Sequence, residues 1–177
     1  MPTVSDASPL IWLSKIGKTG LLKQLFGEVI IPQEVYREAV EKGLEEGVSN
    51  ALVIRESIDQ GLIRVSRLSE REVELSQRMM EHASEVHLGE AQAIILARGM
   101  GALLLMDESS GRAFAETWGL RVRGTLYIIL TALREGLLGK GEAREAMLEL
   151  VEKGFRVEPK LLARMLREIE SFTPRRG

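Results

Sequence analysis

Short apolar stretches alternate along the chain with longer segments in which apolar residues recur at helical spacing. Residues 102–106 form a continuous apolar run of strand length, which is typical of a central parallel strand covered on both faces. Four further short runs have strand character and are bounded by turn residues. The pattern predicts strands at residues 3–6, 28–31, 62–68, 102–106 and 120–122.

The segments between these strands show the three- and four-residue spacing of amphipathic helices. Pro32 suits the start of one helix, Gly43 suits its end, and Thr125 suits the cap of another. Helices are predicted at residues 10–16, 21–26, 33–42, 50–60, 70–83, 89–99, 111–118, 125–135, 140–153 and 159–172. Strands that alternate with helices indicate an α/β fold with a mostly parallel sheet.

Length and composition narrow the class of protein. A chain of 177 residues predicts one domain, over residues 1–172, followed by a short basic tail at 173–177. No apolar run approaches the ~20 residues that span a membrane, and the first residues do not resemble a signal peptide. Cysteine is absent, which excludes cysteine-based metal and redox sites and fits our expectation of a cytoplasmic protein. A formal net charge of −2 excludes a large positive field for coating nucleic acid.

Two aspartates follow predicted strands directly. Asp6 ends the first extended segment, and Asp107 follows residues 102–106. Because ligands of parallel sheets bind beyond the carboxyl ends of the strands, these positions aim both side chains at one crevice. An aspartate after a strand also serves as the N-cap of the next helix, and the pattern alone leaves both interpretations open.

Two glutamates are weaker candidates by spacing. Glu38 lies in the predicted helix 33–42 with Glu34 and Glu41 on the same face, where solvated glutamates are usual. Glu90 lies in the first turn of the predicted helix 89–99, where the helix dipole favours an acid. Spacing suggests a carboxylate site but does not establish it.

The sequence resembles the PIN-domain superfamily, and most closely a prokaryotic branch of it. The matching segments follow the order of that branch over nearly the whole chain, at residues 4–11, 26–40, 88–97, 103–107, 124–126 and 154–157. The resemblance implies a three-layer α/β/α sandwich around a mostly parallel sheet, with a nuclease site that depends on Mg²⁺ or Mn²⁺. Similar proteins often cut RNA, many are toxins of toxin–antitoxin pairs, and they are commonly dimers.

The resemblance also identifies site residues. Ser8 matches a small polar position beside the first acid, whereas Glu108 stands where the family often has a second aspartate, which leaves the holding of a second metal open. The four acids of the family motif fall on Asp6, Glu38, Glu90 and Asp107.

Oxygen ligands without cysteine suit Mg²⁺ or Mn²⁺ better than zinc. Such ions activate a water and neutralise the charge that builds up on a phosphodiester during hydrolysis. We expect Asp6 and Asp107 to be direct ligands and Glu90 a ligand directly or through water. Glu38 is expected to bind through water or to orient the attacking water.

Other residues receive a structural interpretation. His82 and His87 are expected at the surface or as caps, and a Ser8–His87–Asp107 triad lacks the usual nucleophile motif. Basic residues near the acids could steer a phosphate backbone, although each is also an ordinary surface charge: Lys15, Lys18, Lys23, Arg112, Arg121 and Arg123. The aromatic residues expected in the core or an interface, rather than under a base, are Trp12, Phe26, Phe114, Trp118 and Phe155.

The leading hypothesis is an endoribonuclease that acts on single-stranded or structured RNA. It would be the toxin of a pair with a protein antitoxin, and a homodimer. The C-terminal predicted helix 159–172 has an apolar face that either closes the core or pairs with a second chain. The alternative is a catalytically idle PIN-like module that binds RNA or protein. A phosphotransfer module ranks last, because the adjacent acids Asp107 and Glu108 come late in the chain.

Overall fold

The computed structural model describes residues 1–173 and contains a five-stranded, entirely parallel sheet. Its spatial order is β3-β2-β1-β4-β5. All five predicted strands are present, and the α/β fold class is confirmed. The strands are β1 (Thr3–Ser5), β2 (Val29–Pro32), β3 (Ile63–Ser66), β4 (Leu103–Leu105) and β5 (Val122–Arg123).

Helices connect the strands and follow the last one. The first three are α1 (Ala7–Lys15), α2 (Gly20–Phe26) and α3 (Gln33–Tyr36), the last of which continues through a π-helical turn at Arg37–Glu41 into α4 (Lys42–Glu45). The next four are α5 (Ser49–Asp59), α6 (Glu70–His82), α7 (Leu88–Met100) and α8 (Ser109–Thr117). The last three are α9 (Thr125–Arg134), α10 (Lys140–Glu152) and α11 (Pro159–Ser171).

Alternate residues of the strands divide between two apolar cores. In β4, Leu103 and Leu105 pack into one core, whereas Leu104 packs into the other. In β2, Ile31 packs into the same core as Leu103 and Leu105, and Ile30 packs into the same core as Leu104. The side-chain period of a strand is two, so each face of the sheet carries its own layer of helices. The result is the α/β/α arrangement that the resemblance implies.

The helix predicted at residues 33–42 is longer and less regular than expected. Gly43 lies inside α4 and does not end the helix. The chain turns instead at Gly47, whose φ of 71° is in the left-handed region and whose N–H donates to the carbonyl of Leu44 at 3.1 Å. The extra residue of a π turn changes which side chains share a face, and Glu38 lies within this turn.

Thr125 does not cap α9 as predicted. Gly124 occupies the N-cap position, and Thr125 is the first residue of the helix. The Thr125 hydroxyl donates to Asp107. A residue that looks like a cap in the sequence thus joins α9 to the end of β4.

The C-terminal helix closes the core. Leu162, Met165 and Leu166 of α11 are partly buried and pack against the core that also contains α9 and α10. The predicted basic tail begins at Thr173, and its residues 174–177, with Arg175 and Arg176, lie outside the described part of the chain. In the described residues, no helix is long and apolar enough to cross a membrane.

Candidate active site

The sheet has a topological switch point between β1 and β4. From β1 the chain proceeds to β2 and β3 on one side, whereas β4 and β5 extend the sheet on the other. Connections that leave adjacent strands in opposite directions open a crevice at the carboxyl edge, where ligands of such sheets bind. Asp6 follows β1 and Asp107 lies just beyond β4, so both predicted strand-end acids stand at this crevice.

A pocket of about 770 Å³ occupies the crevice. Its walls come from the start of α1, the π turn, the start of α7, the β4–α8 connection and the loop between α10 and α11. Segments more than a hundred residues apart therefore meet in one site. The lining includes all six residues predicted for the site: Asp6, Ser8, Glu38, Glu90, Asp107 and Glu108.

Asp6 is buried without a full set of hydrogen-bond partners. It occupies the N-cap position of α1, yet its side chain makes no capping hydrogen bond, and its Oδ1 atom is buried with no partner. Burial raises the pKa of Asp6 from 3.8 to about 7; the N–H groups of Ala7 and Ser8 lower it, whereas Glu90 and Glu38 raise it. The capping interpretation is not supported, and the buried Oδ1 is left without a partner.

Asp107, in contrast, is held by hydrogen bonds. Its Oδ2 accepts from the hydroxyls of Ser8 at 3.0 Å and Thr125 at 2.7 Å, and its Oδ1 accepts from the Thr125 N–H at 2.7 Å. Burial raises its pKa, while Thr125, Ser8 and finally Arg112 lower it. A Cβ atom at Gly124 would lie 2.7 Å from Asp107 Oδ1, so this approach requires glycine.

Glu38 reaches the pocket by lying against the start of α7. A Cβ atom at Gly89 would lie 2.7 Å from each oxygen of the Glu38 carboxylate, so this close approach also depends on a glycine. Burial raises the pKa of Glu38, with Glu34 and Glu90 adding to the effect, while the Gly89 N–H and His87 lower it. The structure thus gives Glu38 a half-buried place in the site and not the solvated surface that helical spacing favours.

Glu90 combines a capping role with a place in the pocket. Its Oε2 accepts the N–H of His87 at 2.9 Å, which closes the first turn of α7. Burial raises its pKa; the His87 N–H and the His87 charge lower it, and Glu108 raises it. His87 itself is exposed at the N-cap position and also lines the pocket, while His82 is exposed on α6.

Glu108 lies at the exposed rim. Its Oε1 accepts the N–H of Ser109 at 3.1 Å, so the side chain caps α8. It also lines the pocket, but its exposure contrasts with the burial of Asp6 and Glu90. Its arrangement supports the lower rank that the sequence gives it.

The carboxylates share a pocket without forming a ready-made metal cage. Within residues 1–173, no three His, Cys, Asp or Glu side chains come together as a set that could hold an ion. The expectation of carboxylates converging on one metal-sized space is therefore not met. The reason is local: Asp107 is held by Thr125 and Ser8, and Glu90 by the His87 N–H.

The donor set nevertheless fits a hard divalent cation. All the candidate donors are carboxylate oxygens, which Mg²⁺ and Mn²⁺ prefer, and Mg²⁺ needs only one or two of them because it keeps several waters. The Oδ1 of Asp6 is the carboxylate oxygen that lacks a protein partner and would gain most from such a cation. A cation there would also relieve the burial of a charge that otherwise raises the Asp6 pKa.

Sequence reasoning did not assign several residues to the site. Trp12 and Phe155 were assigned to the core or an interface; both pack partly against the core, and both also line the pocket. Arg156 lines it as well and was not singled out. Thr125 and Arg156 belong to the segments 124–126 and 154–157 that resemble the family. The resemblance identified these segments but did not predict the contacts of the two residues.

The basic residues expected to steer a phosphate have other neighbours. Lys15 lies over the Trp12 ring at 4.2 Å, and Arg123 lies over Tyr127 at 4.9 Å. Arg112 donates to the carbonyl of Met106 at 3.4 Å. The remaining three, Lys18, Lys23 and Arg121, are not part of the pocket lining.

The parallel sheet and its crevice define an α/β protein with a ligand site at the carboxyl ends of the strands. Comparison with known families identifies the family. A family model described as a PIN domain matches residues 2–171, so the chain belongs to the PIN-domain family. PIN domains form a nuclease superfamily whose members generally depend on divalent metal ions and act on nucleic acid.

Comparison with individual proteins adds less. One solved structure, a PilT N-terminus domain protein from the hyperthermophilic archaeon Sulfolobus solfataricus P2, is similar at a TM-score of 0.49 and 16% sequence identity. The match covers 75% of this chain and 94% of the other. No curated protein matches the chain.

Proposed function

We propose that this PIN domain is an endoribonuclease that uses Mg²⁺ or Mn²⁺ to hydrolyse phosphodiester bonds of RNA. The observation that carries the proposal is the buried, unpartnered Oδ1 of Asp6, a residue that lines a pocket together with further carboxylates at the switch point of the sheet. An unpaired charge of this kind is costly to bury, so its retention calls for a cationic ligand. The family supplies the nuclease chemistry.

Four residues would hold the metal or its waters: Asp6, Asp107, Glu90 and Glu38. When bound, the divalent ion would activate a water and offset negative charge on the scissile phosphate. The protein residues position these groups. Ser8 and Thr125 fix the orientation of Asp107, and Gly89 leaves room for Glu38. Arg156, at the exposed rim, is placed to contact the phosphate backbone without reading its sequence.

The test is cleavage of single-stranded RNA in the presence of Mn²⁺, by the wild-type protein and by Asp6→Asn and Asp107→Asn. Each variant is expected to lose cleavage by a factor of about 100 or more, since changes even to the partners of metal ligands cost roughly 10–100-fold. Glu116→Gln in α8, an exposed residue outside the pocket lining, is the control and should cleave normally. Cleavage retained by both aspartate variants would contradict the proposal.

The main alternative is a catalytically idle module that binds RNA or protein. The observation in its favour is that the described carboxylates do not form a ready-made ion cage. The enzyme and an idle RNA-binding module both predict RNA binding, but only the enzyme predicts Mn²⁺-dependent products that disappear with the aspartate substitutions. RNA that is bound and remains intact under every divalent-metal condition would favour the idle module.

The proposal extends to the location, the oligomeric state and the cellular role of the protein. We propose a cytoplasmic protein that forms a homodimer and acts as the toxin of a toxin–antitoxin pair. Sedimentation velocity of the purified chain tests the dimer, and a mass of one chain would overturn it. Growth arrest on expression, relieved by Asp6→Asn, tests the toxin role, and unimpaired growth with the active wild-type protein would overturn that part alone.

A further inference from the structure

One wall of the candidate site is apolar and aromatic, although its floor is acidic. Ile11, Trp12 and Phe155 all line the same pocket as the carboxylates; we call these three residues the aromatic wall. Ile11 and Trp12 belong to α1, in the two turns that follow Asp6, whereas Phe155 comes from the loop between α10 and α11. The wall is thus formed by chain segments far apart in sequence.

The aromatic wall is half-buried and supported by contacts on several sides. The rings of Trp12 and Phe155 meet edge to face, with centroids 5.2 Å apart and an angle of 86° between their planes. The ammonium of Lys15 lies 4.2 Å from the centre of the Trp12 ring, which adds a cation–π contact. Both aromatic side chains also pack partly against the core beneath. Such support keeps the exposed part of each ring in one position.

The surroundings match the chemistry of a nucleotide. Carboxylates that fit a divalent cation line the same pocket and provide for the phosphate, and Arg156, which follows Phe155 in the chain, is exposed and also lines the pocket. A base next to that phosphate would meet aromatic and aliphatic carbon, which suits its apolar, polarisable ring. An acidic site for a metal-bound phosphate and an apolar site for the adjoining base therefore adjoin in one pocket.

We infer that the aromatic wall binds an unstacked base beside the scissile phosphate. The inference rests on the proposed nuclease function and deepens it. In a duplex both faces of each base are stacked on neighbours, so a paired base has no surface to offer the wall. An unpaired strand offers its bases at little cost.

A second aromatic cluster provides a matched control. Trp118 packs against Phe114 with centroids 5.4 Å apart and carries Arg98 at 4.4 Å, so it reproduces the ring pair and cation of the wall. It lies at the C-terminal end of α8, in the core on the other face of the sheet, and outside the pocket. The chain has only two tryptophans, so each can be observed alone.

The experiment measures binding without cleavage, with Ca²⁺ in place of Mn²⁺. Fluorescence anisotropy of end-labelled RNA reports binding, and tryptophan emission with unlabelled RNA reports contact with the ring. In Trp118→Phe, single-stranded RNA should quench Trp12, whereas the same sequence in a duplex should not. In Trp12→Phe, the remaining Trp118 should not respond to either RNA.

Affinity gives the second measurement. Trp12→Leu and Phe155→Leu should each weaken binding of single-stranded RNA by roughly ten-fold, the range of one base–aromatic contact, whereas Trp118→Leu should leave it unchanged. Circular dichroism confirms that each variant is folded.

The outcomes separate the two proposals. Binding detected by anisotropy with no change in Trp12 emission, or equal affinity for duplex and single strand, would overturn the role of the wall and leave the nuclease proposal standing. No binding of RNA at all would overturn both. Quenching of Trp12 by single-stranded RNA without Mn²⁺-dependent cleavage in the parallel assay would uphold the wall and count against the nuclease.

Discussion

The two strands at the switch point are each followed by an aspartate. The two aspartates are equivalent in position but differ in their hydrogen bonds. Asp6, beyond β1, is buried with Oδ1 unpartnered, and the neighbouring Glu90 and Glu38 raise its pKa further. Asp107, beyond β4, accepts three hydrogen bonds from Ser8 and Thr125. One side of the crevice is therefore strained by unbalanced charge, while the other is fixed by donors. On the proposed function, Asp107 would be the prepared ligand and Asp6 would create the demand for a cation.

The largest expected effect is a difference in stability between the two asparagine variants. At pH 8 and without metal, Asp6→Asn should raise the free energy of unfolding by roughly 2–4 kcal/mol, because it removes a buried charge. Burial raises the pKa of Asp107 as well, but Asp107→Asn also weakens the hydrogen bonds from Ser8 and Thr125, so its free energy of unfolding should change by no more than about 1 kcal/mol. Urea denaturation measures both. Equal gains in the two variants would remove the distinction.

The same comparison predicts a dependence on pH. The folded protein keeps a proton on Asp6 up to pH about 7, whereas the unfolded chain loses it near the ordinary value of 3.8. Between these values the folded state binds more protons, so wild-type stability should fall as the pH rises from 4 to 7. Protonated Asp6 is neutral like asparagine, so the advantage of Asp6→Asn should disappear near pH 5. An advantage of equal size at pH 5 and pH 8 would contradict this explanation.

Metal binding should offset the strain on the Asp6 side. Mn²⁺ at about 100 times its Kd should stabilise the wild-type protein by roughly 2–3 kcal/mol at pH 8, and much less near pH 5, where Asp6 is protonated. Thermal unfolding with and without EDTA measures the effect. Asp6→Asn is the matched variant and should respond weakly. An equal shift in Tm for both proteins would place the metal elsewhere.

Thr125→Val tests whether the hydrogen bonds to Asp107 position this carboxylate. The change removes the hydroxyl donor to Asp107 and keeps the backbone donor, so cleavage should fall about 10-fold or more while stability falls by about 1 kcal/mol. Thr131→Val is the control, because that hydroxyl bonds only the Tyr127 carbonyl within the same helix. Steady-state cleavage rates and Tm values measure the pair. Equal activity in the two variants would show that Thr125 does not position Asp107.

Gly89→Ala tests whether Glu38 belongs to the site. The new methyl group would overlap the flexible end of Glu38, which can move away, so we expect little change in Tm and a loss of cleavage of roughly 10-fold. Gly99→Ala lies on the same helix, with its nearest neighbour, Glu72 Oε1, 3.7 Å from the added Cβ. It should gain about 0.5–1 kcal/mol of stability and keep full activity. Normal cleavage by Gly89→Ala would remove Glu38 from the mechanism.

The order of strands and helices could be predicted because it depends on local patterns. The continuous apolar run of β4 reflects a strand buried on both faces, and the spacing of apolar residues in the helices reflects burial on one face. Both patterns can be read from consecutive residues. Element ends were harder to predict: a terminating glycine could be Gly43 or Gly47, and only the fold shows that the chain adopts a positive φ at Gly47. Thr125 looked like a helix cap because threonine is a common N-cap residue, and only the fold shows that Gly124 occupies that position.

The candidate site shows the limits of sequence more clearly. Position after a strand suggested Asp6 and Asp107, and family resemblance supplied Glu38 and Glu90, for which helical spacing predicted ordinary surface and capping roles. Only the tertiary structure shows that Asp107 has three donors, that Asp6 has an unpartnered oxygen, and that Phe155 closes a wall with Trp12. Sequence determines the order of elements through local periodicity. Burial and pairing depend on segments that meet across the sheet, so the state of each carboxylate was decided by the fold.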